Sequence, residues 1–313
     1  MRTKVKSPKN SKELPRRKTL RYSASSLPDA LSFNVHMFTQ DIQTGILLRS
    51  MDSTDVSIKF AGEDEECRRA NDICALLGEA RHRSAETIEA AIQEVVLHLA
   101  FRGRALFELV RDSDNNVVKV TSFPAERTWF LYGLCLQVAP FNSDLETKYA
   151  ILRSADVWRI EMPHQRGGYR GHRRLLAKIS AWPSLGPKFQ EEDLKDGKWP
   201  KDFSVGDYRR AYEVQRYRAT RKWGWNGRDW SSQYITEYYQ FYRLLTFRWS
   251  IEVLRRHVVN ELNTLLSRLG IGASIVLEGL PTPDEILDAR DRMQRGEIDF
   301  AEASKITEPD IAR

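Results

Sequence analysis

SSQYITEYYQFYRLLTFRWSIEVLRRHVVNELNTLLSRL, residues Ser231 to Leu269, runs without a Gly or Pro between Gly227 and Gly270. Apolar residues recur at Phe247, Ile251, Leu254, Val258, Leu262, Leu265 and Leu269. Steps of three and four place them on one helical face. Ser231 or Ser232 can cap the start, and Gly270 suits the left-handed position after the end. About 39 residues at ~1.5 Å each give a rod of roughly 58 Å. A helix of that length is either the core of a large α-rich domain or a piece that spans domains or lines an assembly.

Around this stretch, the 313 residues suffice for one large or two ordinary domains. Hydrophobic residues are 41% and charged residues 29%, a globular composition. The net charge of +6 is unevenly placed. Met1 to Tyr22 holds nine Lys/Arg against one acid, a local +8, so the remainder carries −2. A protein built to grip duplex nucleic acid carries its basic excess on the folded face instead. Cys67, Cys74 and Cys135 match no metal spacing and are expected as free thiols in a reducing compartment. The chain has no apolar run of membrane length and no signal-peptide core at its start, so a cytoplasmic protein with no membrane partner is expected.

Residues 1–27 read as a disordered basic arm. Helices are expected over 29–50, 63–77, 81–101, 173–179, 208–223 and 284–295. Strands are expected over 51–60, where Val56, Ile58 and Phe60 alternate with polar residues, and over 105–110, 117–123, 128–138 as a single run, 157–162 and 274–278. Asp112 to Asn116 reads as a polar hairpin turn. Residues 183–207 are the best boundary or long loop, and the last residues look loosely structured. The fold class is α+β, helix-rich.

No catalytic set assembles. The six histidines are scattered, and Glu161 with His164 lacks a second ligand pair, so no metal and no cofactor is expected. Gly167, Gly168 and Gly171 lack the Lys-Ser/Thr that would complete a phosphate loop. Two basic stretches are the candidate sites. The first holds Arg166, Arg170, Arg173 and Arg174 among glycines that let the backbone approach a phosphate chain. The second holds Arg209, Arg210, Arg216, Arg218, Arg221, Lys222 and Arg228, interleaved with Trp223, Trp225, Trp230 and several tyrosines. That mixture suits a subunit interface, a nucleic-acid surface, or surface arginines stacked on nearby rings.

The order of these stretches resembles the wing region of tailed-bacteriophage portal proteins. There a Gly-x-Ala-x-x-Glu stretch precedes a short hairpin and a proline-containing segment. Here Gly103, Ala105 and Glu108 are followed by the Asp112–Asn116 turn and by Phe123-Pro124-Ala125-Glu126-Arg127. The segments Leu152 to Glu161, Pro163 to Gly171 and Arg174-Leu175-Leu176 are similar to the family's next strand, loop and helix. The long helix, Gly279-Leu280-Pro281 and the helix ending Arg295-Gly296-Glu297-Ile298 continue the series. The likeness runs from about Leu27 to Lys305, as in a short or reduced, prophage-like member.

The resemblance implies a wing-like α+β domain over 28–182, a reduced stem- and clip-like segment over 183–230, and a stem-like helix with a late strand and C-terminal helix over 231–313. It implies a non-enzymatic structural subunit of a homo-oligomeric ring at the capsid vertex of a virion, assembled in the host cytoplasm. Double-stranded DNA would pass through the ring during packaging and ejection without sequence-specific binding. Terminase, capsid and head–tail adaptor proteins would be partners. A body of net −2 suits such a channel, since strong phosphate contacts would stall moving DNA. Head-to-tail ring contacts would fall to the Arg- and aromatic-rich face from Tyr208 to Trp230. The alternative is a nucleic-acid-binding protein that uses the basic arm and that helix.

Overall fold

The computed structural model describes residues 18–20, 33–46, 56–78, 81–141, 143, 145–181, 205–227 and 235–305. These fall into two compact units. One combines residues 18–20 with Leu106–Trp158, and the other holds the remaining described residues up to Ala105 and from Arg159.

The larger unit is helical. It contains α1 (Phe33–Ile46), β1 (Ser57–Ala61), α2 (Asp64–Leu77), α3 (Ser84–Arg102), α4 (Gly168–Ser180), α5 (Val205–Ala219), α6 (Glu237–Arg268), β8 (Ser274–Glu278), α7 (Pro283–Gln294) and α8 (Phe300–Lys305). The helix α6 is the expected long rod, capped by Thr236, and the expected caps Ser231 and Ser232 lie outside the described residues. The Thr236 hydroxyl accepts Tyr239 N–H at 3.2 Å. At the other end Gly270 has φ +71°, and Ile271 N–H returns to Leu266 O at 3.0 Å. The expected left-handed glycine is therefore in place.

The rod is a core helix. Ile251, Leu254, Val258, Leu262 and Leu265 are buried as the spacing predicts, but Ser250 to Arg255 are buried without a break, so this stretch is covered all round. It packs against α1, α3, β8, α7 and α8. Solvent reaches the second half of α6 along a polar stripe of Arg256, Asn260, Thr264 and Ser267. The charged residues inside are matched. Glu252 pairs with Arg255 and with Arg256. Arg255 also donates to Gly45 O at 3.0 Å and Ile46 O at 3.3 Å, so a cation meets the open carbonyls at the end of α1. A reading of α6 as a lining exposed to an assembly therefore fails from Ser250 to Arg255.

The small sheet of this unit pairs β1 with β8 antiparallel, Phe60 opposite Ile275. Asn263 on α6 holds its edge by bonding both the N–H and the C=O of Ile275.

The smaller unit holds β2 (Arg104–Arg111) from Leu106 on, β3 (Val117–Ser122), β4 (Thr128–Leu131), β5 (Leu134–Val138), β6 (Tyr149–Arg153) and the start of β7 (Val157–Glu161). Strands run in the orders β3-β2-β7 and β4-β5-β6. The β2–β3 hairpin turns where expected. Asp112 carboxylate accepts Asp114 N–H and Asn116 N–H, both at 2.9 Å, and Asn115 takes φ +66°. The single strand expected over 128–138 is instead a hairpin. Tyr132 and Gly133 both have positive φ, 49° and 76°, the requirement of a two-residue primed turn, so Leu131 faces Leu134. Strand β6 went unrecognised, and α4 begins five residues before the expected start.

The basic arm is not free throughout. Glu108 carboxylate accepts Lys18 N–H at 2.8 Å and both the N–H and hydroxyl of Thr19. Gln137 brackets the backbone of Leu20, accepting its N–H at 2.8 Å and donating to its C=O at 3.0 Å. Leu20 then joins a core with Leu106, Phe123, Cys135 and Leu152. The expectation of disorder fails at residues 18–20, because buried polar side chains supply the partners their backbone needs.

Candidate functional site

The two basic stretches come together in the larger unit, but much of their chemistry points inward. Trp223 and Trp225 are each 1% exposed, Arg216 3% and Arg166 6%. These four residues, expected on an interface or nucleic-acid surface, are core. The arrangement has a local cause. After α5 the chain makes a tight turn that lies directly on the backbone of α6. Gly224 sits at φ +75°, and a Cβ there would fall 2.3 Å from Arg243 O and 2.7 Å from Phe247 N. Only glycine allows that approach.

The turn exposes carbonyls to the interior, and two arginines meet them. Arg243 donates to Asn226 Oδ1 at 2.8 Å, to Tyr217 O at 3.2 Å, to Thr220 Oγ1 at 2.8 Å and to Trp225 O. Arg166 donates to Lys222 O and to Ser250 Oγ, and its guanidinium lies 4.0 Å from the ring centroid of Trp249. Burial pushes Arg166 down to about 10, which leaves it a cation at neutral pH. Burial also lowers Arg243, against upward pulls from Tyr239 and Tyr217. The forked guanidinium suits this task, since one side chain can serve several carbonyls at once.

Aromatic packing completes the cluster. Phe38 of α1 meets Trp223 and Trp225 edge-on at 5.4 and 5.2 Å. Trp225 Nε1–H donates to Asp41 at 2.7 Å. His172 of α4 packs beside Trp223 at 5.9 Å, and its Nε2 lies 2.7 Å from Ala100 O, the geometry of a donated hydrogen bond. Burial lowers His172 to about 4, partly offset by that bond.

The exposed candidates form a different set. Arg170 and Arg174 stand on the open face of α4, and Lys178 extends the row at the same four-residue step. The helix contains no Asp or Glu. Arg210, Arg218, Arg221 and Lys222 are exposed on α5 and its following turn, and α4 packs against α5. Arg173 is half-buried and turned to Tyr169, donating to its hydroxyl at 3.0 Å. Arg209 falls in α5 with its side chain outside the described residues, as are Arg228 and Trp230 altogether. Chemically, the exposed set offers point charges to phosphate or carboxylate. Trp223 and Trp225 are enclosed and offer no ring face for stacking.

Glu161 is paired with cations. It bonds Arg159 at 3.0 Å and pairs with Arg104 at 2.7 Å. Burial raises its pKa, but these two cations outweigh burial and hold it below its ordinary value. Among the described residues no group of three or more His, Cys, Asp or Glu is placed to hold a metal, and no helix is long and apolar enough to cross a membrane.

Two features lie outside the sequence-based expectations. Arg243 was hidden inside the long helix. The apolar outer face of β4–β5–β6, with Trp129, Leu131, Leu134 and Ile151 exposed, was hidden by joining two strands into one.

No family model and no curated protein matches the chain. Among solved structures it is similar to a chain of the "Neck of empty GTA particle computed with C6 symmetry", at 9% identity and a TM-score of 0.48, over 84% of each chain.

Proposed function

We propose that the chain is a structural component of a phage-like particle, and more specifically a portal-type ring subunit at the capsid vertex, through which DNA is packaged and ejected. It acts as a scaffold and carries no catalytic step. The observation that carries this reading is the Gly-x-Ala-x-x-Glu stretch of the resemblance, in which each marked residue has a structural task. Gly103 ends α3 at φ +73° and accepts Met162 N–H on its carbonyl at 2.9 Å. Ala105 is 1% exposed and sits in the core. Glu108 anchors Lys18 and Thr19 through three hydrogen bonds. A stretch with three such tasks is part of a framework, and the hairpin, proline segment, loop and helix follow it in the order of the resemblance.

Ring contacts do not fall to Trp223 or Trp225, which are enclosed in their own unit. Mass photometry of the purified full chain tests the reading. Particles of many copies of the 36.3 kDa chain are expected, and a strict monomer at micromolar concentration counts against it.

The second reading, nucleic-acid binding, rests on the exposed row of Arg170, Arg174 and Lys178. It predicts duplex affinity that falls steeply with salt, and Arg170→Glu with Arg174→Glu abolishes it. An absence of binding at low salt removes this reading.

A further inference from the structure

We infer that the outer face of the β4–β5–β6 sheet is a self-association surface, on which two copies of the chain stack face to face about a two-fold axis.

The sheet is largely apolar on both sides, with Thr128 and Gln137 the polar residues of its inner face. Its inner side chains, including Cys135, Gln137, Ala150 and Leu152, are buried in the small unit's core. On the outer side the register lays down rows across the strands. Trp129 faces Leu136, which faces Ile151; Leu131 faces Leu134. Tyr149 stands opposite Val138 at the end. An antiparallel sheet with one face in water alternates apolar with polar residues, whereas a sheet covered on both faces does not. This sheet has the second pattern, yet Trp129, Leu131, Leu134, Tyr149 and Ile151 are 46–62% exposed. Among the described residues no layer covers this face.

Three observations assign that layer to a second copy. The first is size. Those exposures amount to roughly 600 Å², at the upper end of the largest patch on a typical monomer and about three quarters of the ~800 Å² per partner of a standard interface. The second is charge. Within the paired strands the charged residue of these rows, Arg153, is held by Asp156 at 2.9 Å, and exposed Arg127 borders the Val138 end, so the centre of the face carries no uncompensated charge to repel a second copy. The third is matching. Of the large hydrophobics exposed among the described residues, Phe33 is the one outside this unit. A head-to-tail contact would set the sheet on a polar surface, while a two-fold contact sets like on like. Two sheets would then pack about 10 Å apart with interlocking side chains. This inference does not depend on the portal-type reading.

Sedimentation velocity of the full chain at rising concentration tests it, with three variants. Wild type and the control Asn260→Glu, exposed on α6, are expected to show a dimer step. The double variant Leu131→Glu, Ile151→Glu is expected to keep its melting temperature and to weaken that step roughly a hundred-fold or more, since carboxylates cannot enter a dry face unpaired. Leu136→Cys, in a Cys67→Ser background, is expected to form a disulfide-linked dimer under mild oxidation. A wild type without a dimer step, or a dimer step untouched by the double variant, overturns the inference. A larger ring with the same copy number in the double variant also overturns it while leaving the ring reading intact. A species that stops at two copies supports it and removes the ring reading.

Discussion

The guanidinium of Arg166 lies 4.0 Å from the ring centroid of Trp249, and its hydrogen bonds go to two neutral oxygens, Lys222 O and Ser250 Oγ. A buried cation held this way depends on the turn after α5 delivering its carbonyls. Arg166→Ala removes the stacking, leaves a cavity and orphans Lys222 O, so it is expected to cost about 3 kcal/mol or more. Arg166→Lys is expected to lose part of that, because an ammonium has no plane to stack. Urea denaturation measures both.

Gly224→Ala tests the same turn from the other side. The left-handed backbone and the contact with Arg243 O both oppose a Cβ. A loss of about 3 kcal/mol or more is expected by denaturant titration. An unchanged midpoint would mean that the turn does not lie on α6.

Stability is expected to depend on His172. The folded protein keeps this ring neutral down to about pH 4, whereas the unfolded chain takes up the proton near 6.5. The contribution is complete above about pH 6.5 and is lost as pH falls toward 4, by up to about 3 kcal/mol. Comparing wild type with His172→Gln over this window isolates the effect, and the variant should show the shallower slope.

Glu108→Ala is expected to release Lys18 and Thr19. Tryptic cleavage after Lys18 should be slow in wild type and fast in the variant, because three hydrogen bonds to the carboxylate are lost together.

Much of the helical framework was legible because it follows local rules. The spacing from Ile251 to Leu265, the glycine at 270 and the Asp112 turn all act through near neighbours. The basic and aromatic stretch was misread because exposure is not a local property. Arg166 and Arg243 are core residues only because carbonyls 56 and 18 or more residues away come to them. Composition gives no sign of that pairing, and an arginine beside a tryptophan reads the same inside or outside. Gly133 was the available signal for the β4–β5 turn, since a glycine amid apolar residues marks a reversal as readily as a strand. The tie between Glu108 and residues 18–20 spans some ninety positions and has no sequence signature.

The central proposal, a portal-type ring subunit, is tested most directly by negative-stain electron microscopy of the purified full chain. The account predicts closed rings of many copies around a central hole wide enough for duplex DNA. Fields of single compact particles at the same concentration, with no closed rings, would contradict it.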